Sequence, residues 1–512
     1  MSPKMKRCSG ILCHITSLPS GSGIGSLGPE ALAFLDFLVE ANQSLWQVLP
    51  VGPVDIAMGG SPYCGVSSFA GNELLVGLEG LPEMGLLEPR ETGQDWTLPN
   101  EPIDWFLVSA RKGAALDKAW KTFSGLPLGS ALREEFENFR GGQKAWLDDY
   151  SSFQALKSSQ GGKPWTEWPA PLRKREPEAL RRAASALESE KGRVEFGQWL
   201  FFRQWEKLRF EARKRRIALL GDLPIYVGLD SADVWCWQDG FDLDTGGRPV
   251  TVAGVPPDYF SETGQRWGNP TYRWEVHVKD GFSWWRARVG HALSLFDFIR
   301  LDHFRGLSAF WSIPAVDETA VRGRWVEAPG RALLERLRED SPDLPIVAED
   351  LGIITPDVTL LKEQFGLPGM RVLQFGFSGN VGSNPHAPHN FPNGVVAYTG
   401  THDNNTVRGW FEEDLEPDSQ ALLSRYVGHQ VGPEGVAKDL VRLALASPAA
   451  WAVSQLQDIL GLDGRSRMNT PSKPHGNWTW RATIPTRECA REISAQVEIF
   501  GRGRIALDNV IN

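Results

Sequence analysis

Apolar runs that end abruptly in polar or charged residues recur along the chain: GILCHITSLP at 10–19, SLWQVLPVGP at 44–53, IALLGDLPIYV at 217–227, LFDFIRLDHFRG at 295–306, PIVAEDLG at 345–352, GMRVLQFGF at 369–377, GVVAYTGTHDN at 394–404 and WAVSQLQDILGL at 451–462. Each reads as a short strand. Between them the period changes to that of amphipathic helices. In PEALAFLDFLVEA at 29–41, Leu32, Leu35, Leu38 and Val39 fall near one face, and Pro29 suits a first helical turn. RALLERLRED at 331–340 reads the same way, just before the fifth strand. Eight strands alternating with helices predict an α/β fold, a (β/α)8 TIM barrel.

The spacing is uneven, and the exceptions mark insertions. More than 150 residues separate the second run from the third, far beyond an ordinary βα connection. That stretch is charged and helical in pattern (LREEFENFR, ALRRAASALESEKGR, FGQWLFFRQWEKLRFEARKRR). The expected organisation is therefore residues 1–75 as the first part of the barrel, 76–216 as a mostly helical inserted subdomain, and 217–512 as the remainder. A second insertion is expected near 228–290, where VPPDYFSETGQRWGNPTYRW (255–274) has the Pro, Gly and aromatic content of an ordered active-site loop. Only about 50 residues follow the last run, too few for a separate C-terminal β-domain.

Composition removes several classes. A chain of 512 residues with 41% hydrophobic and 23% charged residues is neither disordered nor fibrous. A net charge of −9 gives no electrostatic basis for binding nucleic acid or an anionic membrane. No stretch has the ~20 consecutive apolar residues of a membrane span. The apolar run near the N-terminus is interrupted at Cys13-His14 and Thr16-Ser17, too soon for a signal sequence. Five scattered cysteines without a CxxC pair read as reduced thiols of a cytoplasmic protein. Tryptophan, with 21 residues against 7 tyrosines, belongs mostly to the core, but flat rings on loops also suit the apolar faces of sugars.

In a barrel, chemistry belongs at the carboxyl ends of the strands. Four acids fall there: Asp222 in GDLP, Asp302 in RLDH, Glu349 in AEDLG and Asp403 in THDN. One such acid reads as a helix cap or an ion-pair partner; four on different strands facing one mouth point to a reaction centre. Cleaving a glycosidic bond needs two carboxyl groups, one to protonate the leaving oxygen and one to attack or stabilise the anomeric carbon. Asp302 lies beside Arg300, His303 and Arg305, cations that favour its ionised form. Glu349 follows the apolar PIVA and precedes Asp350, so an apolar wall or a neighbouring acid is expected to raise its pKa, as a general acid requires. His402 and Asp403 suit the binding of sugar hydroxyls. Metal-assisted hydrolysis would want HxH or HExxH, and the chain has neither. His386 and His389 in HAPH read as surface or loop-packing residues, and no metal or cofactor is expected. Phosphate cradles and a GxSxG elbow are also missing from the sequence.

At these residues the sequence resembles the 4-α-glucanotransferases called amylomaltases or disproportionating enzymes, a branch of the α-amylase clan. SGILCHITSLPSGSGIGSLGPEALAFLDFL, SLWQVLPVGP, SPYCGVSSFAGN, GDLPIYVGLDSADVW, VAGVPPDYFSETGQRWGNP, IRLDHFRG, VAEDLGIITPDV, FGLPGMRVLQF, YTGTHDNNT and RMNTP…GNWTWR look like family segments in family order, over nearly the whole chain. The resemblance implies Asp302 as nucleophile, Glu349 as general acid/base and Asp403 as the third acid, which holds substrate hydroxyls. It implies Asp222, Arg300, His303 and His402 as the shell around the cleaved bond and Tyr63 as the ring against which the sugar stacks. Gln265 and Trp267 then belong to a loop covering the acceptor, and Asn469 follows the last strand. The implied substrates are α-1,4-glucans and maltooligosaccharides, with transfer to the 4-hydroxyl of an acceptor glucan through a covalent glycosyl-enzyme. GPVDIAMGGSPYCG departs from the family's GPTGYGDSPYQ-like form, and Ser472 stands where MNTPG has glycine. A hydrolase of the amylase type with the same acids, and a noncatalytic glucan-binding protein, are the alternatives.

Overall fold

The computed structural model describes residues 6–93, 101–257, 261–471, 473 and 475–504, so Ser472 lies outside the described residues. Each of the eight apolar runs forms a strand: β1 (Cys8–Leu12), β2 (Leu45–Gln47), β3 (Ala218–Leu223), β4 (Phe298–Leu301), β5 (Ile346–Ala348), β6 (Gly369–Val372), β7 (Val395–Tyr398) and β8 (Trp451–Gln455). They pair in parallel in the order β6-β7-β8-β1-β2-β3-β4-β5. Between β5 and β6 the ring closes through a backbone bond, the Ala348 N–H donating to the Pro368 carbonyl at 2.8 Å. The fold is the predicted (β/α)8 barrel.

Side-chain alternation divides the strand residues between two cores. Leu12, Leu45, Leu220, Phe298, Val347, Met370, Val396 and Val453 pack together inside the barrel. Their neighbours Ile11, Trp46, Leu219, Ile299, Ile346 and Ala397 face outward and join the helices. Because both faces are covered, the strands need apolar residues at nearly every position, and this produces the unbroken runs seen in the sequence. Helices Pro29–Glu40 and Gly330–Asp340 fall where the periodicity places them. Gly221 lies one residue before Asp222, and a Cβ there would stand 2.3 Å from the ring of Phe296. Only glycine lets that ring pack against the end of β3.

The long stretch between β2 and β3 is mainly helical, with helices Trp105–Ser124, Ala131–Gly142, Lys144–Ser159, Pro177–Ala186 and Glu188–Lys214. Phe123, Phe136, Phe196 and Trp199 pack ring to ring at its centre. Two glutamines of the long helix dock it on the preceding segment by imitating strand pairing. Gln198 donates to the Gly71 carbonyl and accepts its N–H at 2.9 and 2.8 Å, and Gln204 does the same with Gly77 at 2.8 Å for both bonds. Buried Lys112 adds bonds to the carbonyls of Leu74 and Val76.

The region read as an active-site loop differs from expectation. Thr251–Val255 and Gln265–Pro270 are strands of a four-stranded antiparallel sheet completed by Ala309–Pro314 and Arg324–Glu327, from beyond β4. One face of this sheet packs on the main core through Ala253 and Phe310. Trp267 therefore rides on a strand rather than on an ordered loop; residues 258–260, within the same segment, lie outside the described residues. Beyond β8, helix Arg487–Ile499 packs beside Pro29–Glu40, and buried Arg502 donates to the carbonyls of Cys8, Leu445, Ser447, Ala449 and Ala450. Among the described residues no strand follows β8, and no helix is long and apolar enough to cross a membrane.

Candidate active site

The carboxyl ends of the strands converge on a set of ionisable groups, and Arg300 is their hub. Its β4 neighbours pair with β3 so that Arg300 stands beside Asp222. The guanidinium is buried; Nη1 donates to Asp222 Oδ2 at 2.6 Å and Nη2 donates to Asp302 Oδ1 at 2.7 Å. Burial alone would lower the arginine pKa, but Asp222 and Asp302 hold it well above its usual value. One fixed cation thus bridges two carboxylates, a task suited to the planar fork of arginine. Asp222 also accepts from the Tyr63 hydroxyl at 2.8 Å. Burial pushes the Asp222 carboxyl up against the opposing pull of Arg300.

Glu349 follows β5 and sits against the β4 terminus. Its N–H donates to the Leu301 carbonyl, and its own carbonyl accepts from Phe304 N–H, both at 3.1 Å. The carboxylate accepts from the N–H of His303 at 2.7 Å and of Leu351 at 2.9 Å. His303 makes this contact from a left-handed conformation, φ 49° and ψ 49°, a costly state for a non-glycine residue and one that concentrates at functional sites. Burial pushes Glu349 up to about 7; Arg300 opposes the shift, and the negative charge of Asp302 adds to it. Two expectations change here. Asp350 does not act on Glu349: its carboxylate accepts from Met370 N–H at 2.6 Å and pairs with Lys362 and Arg371, fastening β5 to β6. Arg305 does not serve Asp302 either. It stacks 3.9 Å from the centroid of the Trp325 ring and donates to the Ile353 carbonyl at 2.6 Å.

The third acid arrives from the loop after β7. Asn469 Nδ2 donates to Asp403 Oδ1 at 2.6 Å, and Arg467 Nη2 donates to the Asp403 carbonyl at 2.6 Å. His402 Nε2 lies 3.4 Å from Asp403 Oδ2, and its ring is stacked on Tyr63 with centroids 4.9 Å apart. Tyr63 thereby connects the Asp222 end of the site to the Asp403 end. On the opposite rim Trp267 stands edge to face with His303 at 4.8 Å and remains 38% exposed, available to a ligand. Burial pushes His303 down to about 4, so at neutral pH it does not supply the positive charge beside Asp302 that its place in RLDH suggested, and that charge comes from Arg300. Gln265 is exposed, and its Oε1 accepts from Trp267 Nε1 at 3.1 Å; it contacts its own strand and not the acids.

The structure therefore brings Tyr63, Asp222, Arg300, Asp302, His303, Glu349, His402, Asp403 and Asn469 into one connected cluster, with Trp267 over it and Gln265 at the edge. Sequence reasoning passed over Arg467, Trp478 and Tyr226. Trp478 packs beside Tyr63 and His402 at 5.8 Å from each, and Tyr226 lies 6.2 Å from Trp267. Arg467 is two residues from Asn469 in RMNT, and Trp478 lies in NWTWR, so both fall within segments that carry the family resemblance.

A parallel barrel with carboxyl groups gathered at the ends of β3, β4, β5 and β7 is the architecture of a barrel enzyme equipped for acid/base and nucleophilic chemistry. Comparison with known proteins makes the class specific. The glycoside hydrolase family 77 model, 4-alpha-glucanotransferase, matches residues 13–486. The chain is 48% identical over 484 residues to the 4-alpha-glucanotransferase of Thermus thermophilus, covering 93% of this chain and 95% of that protein. It is 42% identical over 503 residues to the chloroplastic/amyloplastic 4-alpha-glucanotransferase of Solanum tuberosum, covering 97% and 85%. The amylomaltase of Streptococcus agalactiae, solved in complex with acarbose, superimposes with a TM-score of 0.92 at 36% identity over 97% of this chain and all of that one. The chain belongs to the glycoside hydrolase family 77 4-alpha-glucanotransferases.

Proposed function

We propose that this enzyme disproportionates maltooligosaccharides by double displacement, with Asp302, Glu349 and Asp403 in the roles of nucleophile, general acid/base and hydroxyl-binding third acid. The observation that carries the assignment is the pairing of unlike environments: Asp302 bound to a fixed cation, and half-buried Glu349 with its pKa pushed to about 7. An Asp302 oxygen attacks the anomeric carbon. The glycosidic C–O bond breaks as its oxygen takes the proton of Glu349, leaving a glycosyl ester on Asp302. That ester has no charge, so the Coulombic contribution that held the Glu349 proton disappears. Glu349, its pKa lowered, then stays ionised and is free to accept the proton of an acceptor 4-hydroxyl as that oxygen attacks and the ester breaks. The same carboxyl serves both half-reactions because the charge of its neighbour alternates.

Transfer must outrun hydrolysis, so water has to be kept from the ester while an acceptor is held in place. Trp267, partly exposed above His303, supports the second task by offering a ring face to an acceptor sugar. The substrates on this reading are α-1,4-glucans, and the five free thiols favour a cytoplasmic setting. The test is incubation of the enzyme with maltotriose alone, followed by separation of products by chain length. Glucose plus a ladder of longer oligosaccharides is expected; glucose and maltose alone would make the protein a hydrolase.

The pH dependence follows from Glu349. Its carboxyl is protonated below about 7 and ionised above, and the first displacement needs the proton. The expected profile of kcat/KM for maltotriose falls above about pH 7, by roughly tenfold per pH unit. Activity that stays level to pH 9 would remove Glu349 from the role of acid.

A further inference from the structure

The loop that carries His402 and Asp403 is closed at its base by one buried carboxylate. Asp458 lies in the short helix Leu456–Ile459, directly after β8. Its Oδ2 accepts from the Thr399 hydroxyl at 2.6 Å, where the chain leaves β7. Its Oδ1 accepts from the Val407 N–H at 2.7 Å, the first N–H of the helical turn Val407–Gly409. Thr399 Oγ1 also receives the Gln455 N–H at 3.3 Å, so the hydroxyl hydrogen is committed to Asp458. Both ends of the segment 399–407 are thus tied to the terminus of the neighbouring strand. Both of these donors to the carboxylate are neutral, and its burial pushes the pKa up to about 6. A carboxyl group in such a place carries a desolvation cost, which the two hydrogen bonds must offset. A carboxylate accepts at both oxygens, which is what two donors at opposite ends of a loop require; asparagine would present a donor to one of them.

We propose that Asp458 is a positioning residue for glycosyl transfer, fixing the 399–407 loop so that Asp403 and His402 meet the sugar in the productive geometry. The inference rests on the glucan-transfer reading above, and it concerns a residue that touches none of the acids. Asp403 is held mainly from outside its own loop. Asn469 and Arg467 hold its carboxylate and carbonyl from one side, and its side chain is 46% exposed. Within the loop its N–H donates to Thr401 Oγ1 at 3.4 Å and Gln374 donates to the Asn405 carbonyl at 2.9 Å, so the ties at 399 and 407 complete a set of anchors that fixes where its backbone stands. A misplacement of about 1 Å at a reacting group costs on the order of 10²-fold in rate.

The test compares wild type with Asp458→Asn, Thr399→Val and Thr399→Ser on maltotriose, with kcat expressed per folded molecule and the unfolding midpoint recorded. Asp458→Asn and Thr399→Val are expected to lose roughly ten- to a hundredfold in kcat with KM altered less than about threefold, the pattern of a displaced catalytic group and not of weakened substrate binding. Thr399→Ser keeps the hydroxyl and is expected to stay within about twofold of wild type. Should Asp458→Asn fail to fold, the Thr399 pair decides. Unchanged kcat per folded molecule in Thr399→Val, a rise in KM with kcat intact, or an equal loss in Thr399→Ser would each overturn the proposal. A wild-type protein that forms no ladder from maltotriose would instead refute the underlying function.

Discussion

Asparagine in place of Asp302 is expected to lower maltotriose turnover by at least ~10⁴-fold, about 5.5 kcal/mol of transition-state stabilisation, while leaving the protein folded. The amide is nearly the shape of the carboxylate, and its oxygen can still accept from Arg300 Nη2. Asp302 is partly exposed, and its backbone is held independently by an N–H bond to the Leu223 carbonyl at 3.0 Å. Loss of the charge therefore removes nucleophilicity and little packing. It also removes the negative neighbour that helps to raise Glu349, so a carboxyl near pH 7 in the wild type should titrate lower in the variant. Turnover by product separation and the thermal midpoint decide the matter together. Retained turnover would take the nucleophile role from Asp302; an unfolded variant would show that the charge holds the fold instead.

The barrel was legible because a strand buried on both faces cannot hide its composition. Every residue of β1, β3, β4, β7 and β8 is buried, and the sequence shows the same five segments as apolar runs. The four-stranded sheet was not legible for the opposite reason. Gln265–Pro270 and Arg324–Glu327 are largely exposed edge strands, rich in charge, Gly and Pro, and these residues are depleted in strands and favoured in loops. Their pairing depends on partners contributed from both sides of β4, which no local pattern reports.

The acids of the site were legible by position, since each follows an apolar run at the end of a barrel strand. Their electrostatic environment was not. Arg305 is three residues from Asp302 in sequence yet turns to Trp325, while Asp222, 78 positions before Arg300, is its direct partner. Asp350 is adjacent to Glu349 in the chain but points to β6. Successive side chains of extended backbone face opposite sides, so adjacency in the chain does not by itself give shared surroundings. Asp458, joined to Thr399 across 59 positions and to Val407 across 51, lay beyond any local motif because its partners come from the neighbouring strand's loop.

Arg300→Met is expected to damage the site and the fold together, lowering kcat/KM by at least ~10³-fold and stability by about 3–5 kcal/mol. Methionine fills most of the apolar volume of the side chain but neutralises nothing. Asp222 would keep only the Tyr63 hydroxyl as a partner for its Oδ2, in a position where burial already pushes its carboxyl up. It would take a proton, and Asp302 would lose the cation that fixes its orientation. Lysine separates charge from geometry: a single ammonium restores the charge, but it lacks the two nitrogens that reach Asp222 and Asp302 along different directions. Arg300→Lys should therefore recover a large part of the stability and a small part of the activity. Denaturant midpoints and kcat/KM for the two variants measure the halves of this argument separately. A methionine variant as stable as wild type would mean that the buried carboxyls do not need Arg300 in order to fold, and a fully active lysine variant would mean that its charge, not its fork, is what Asp302 requires.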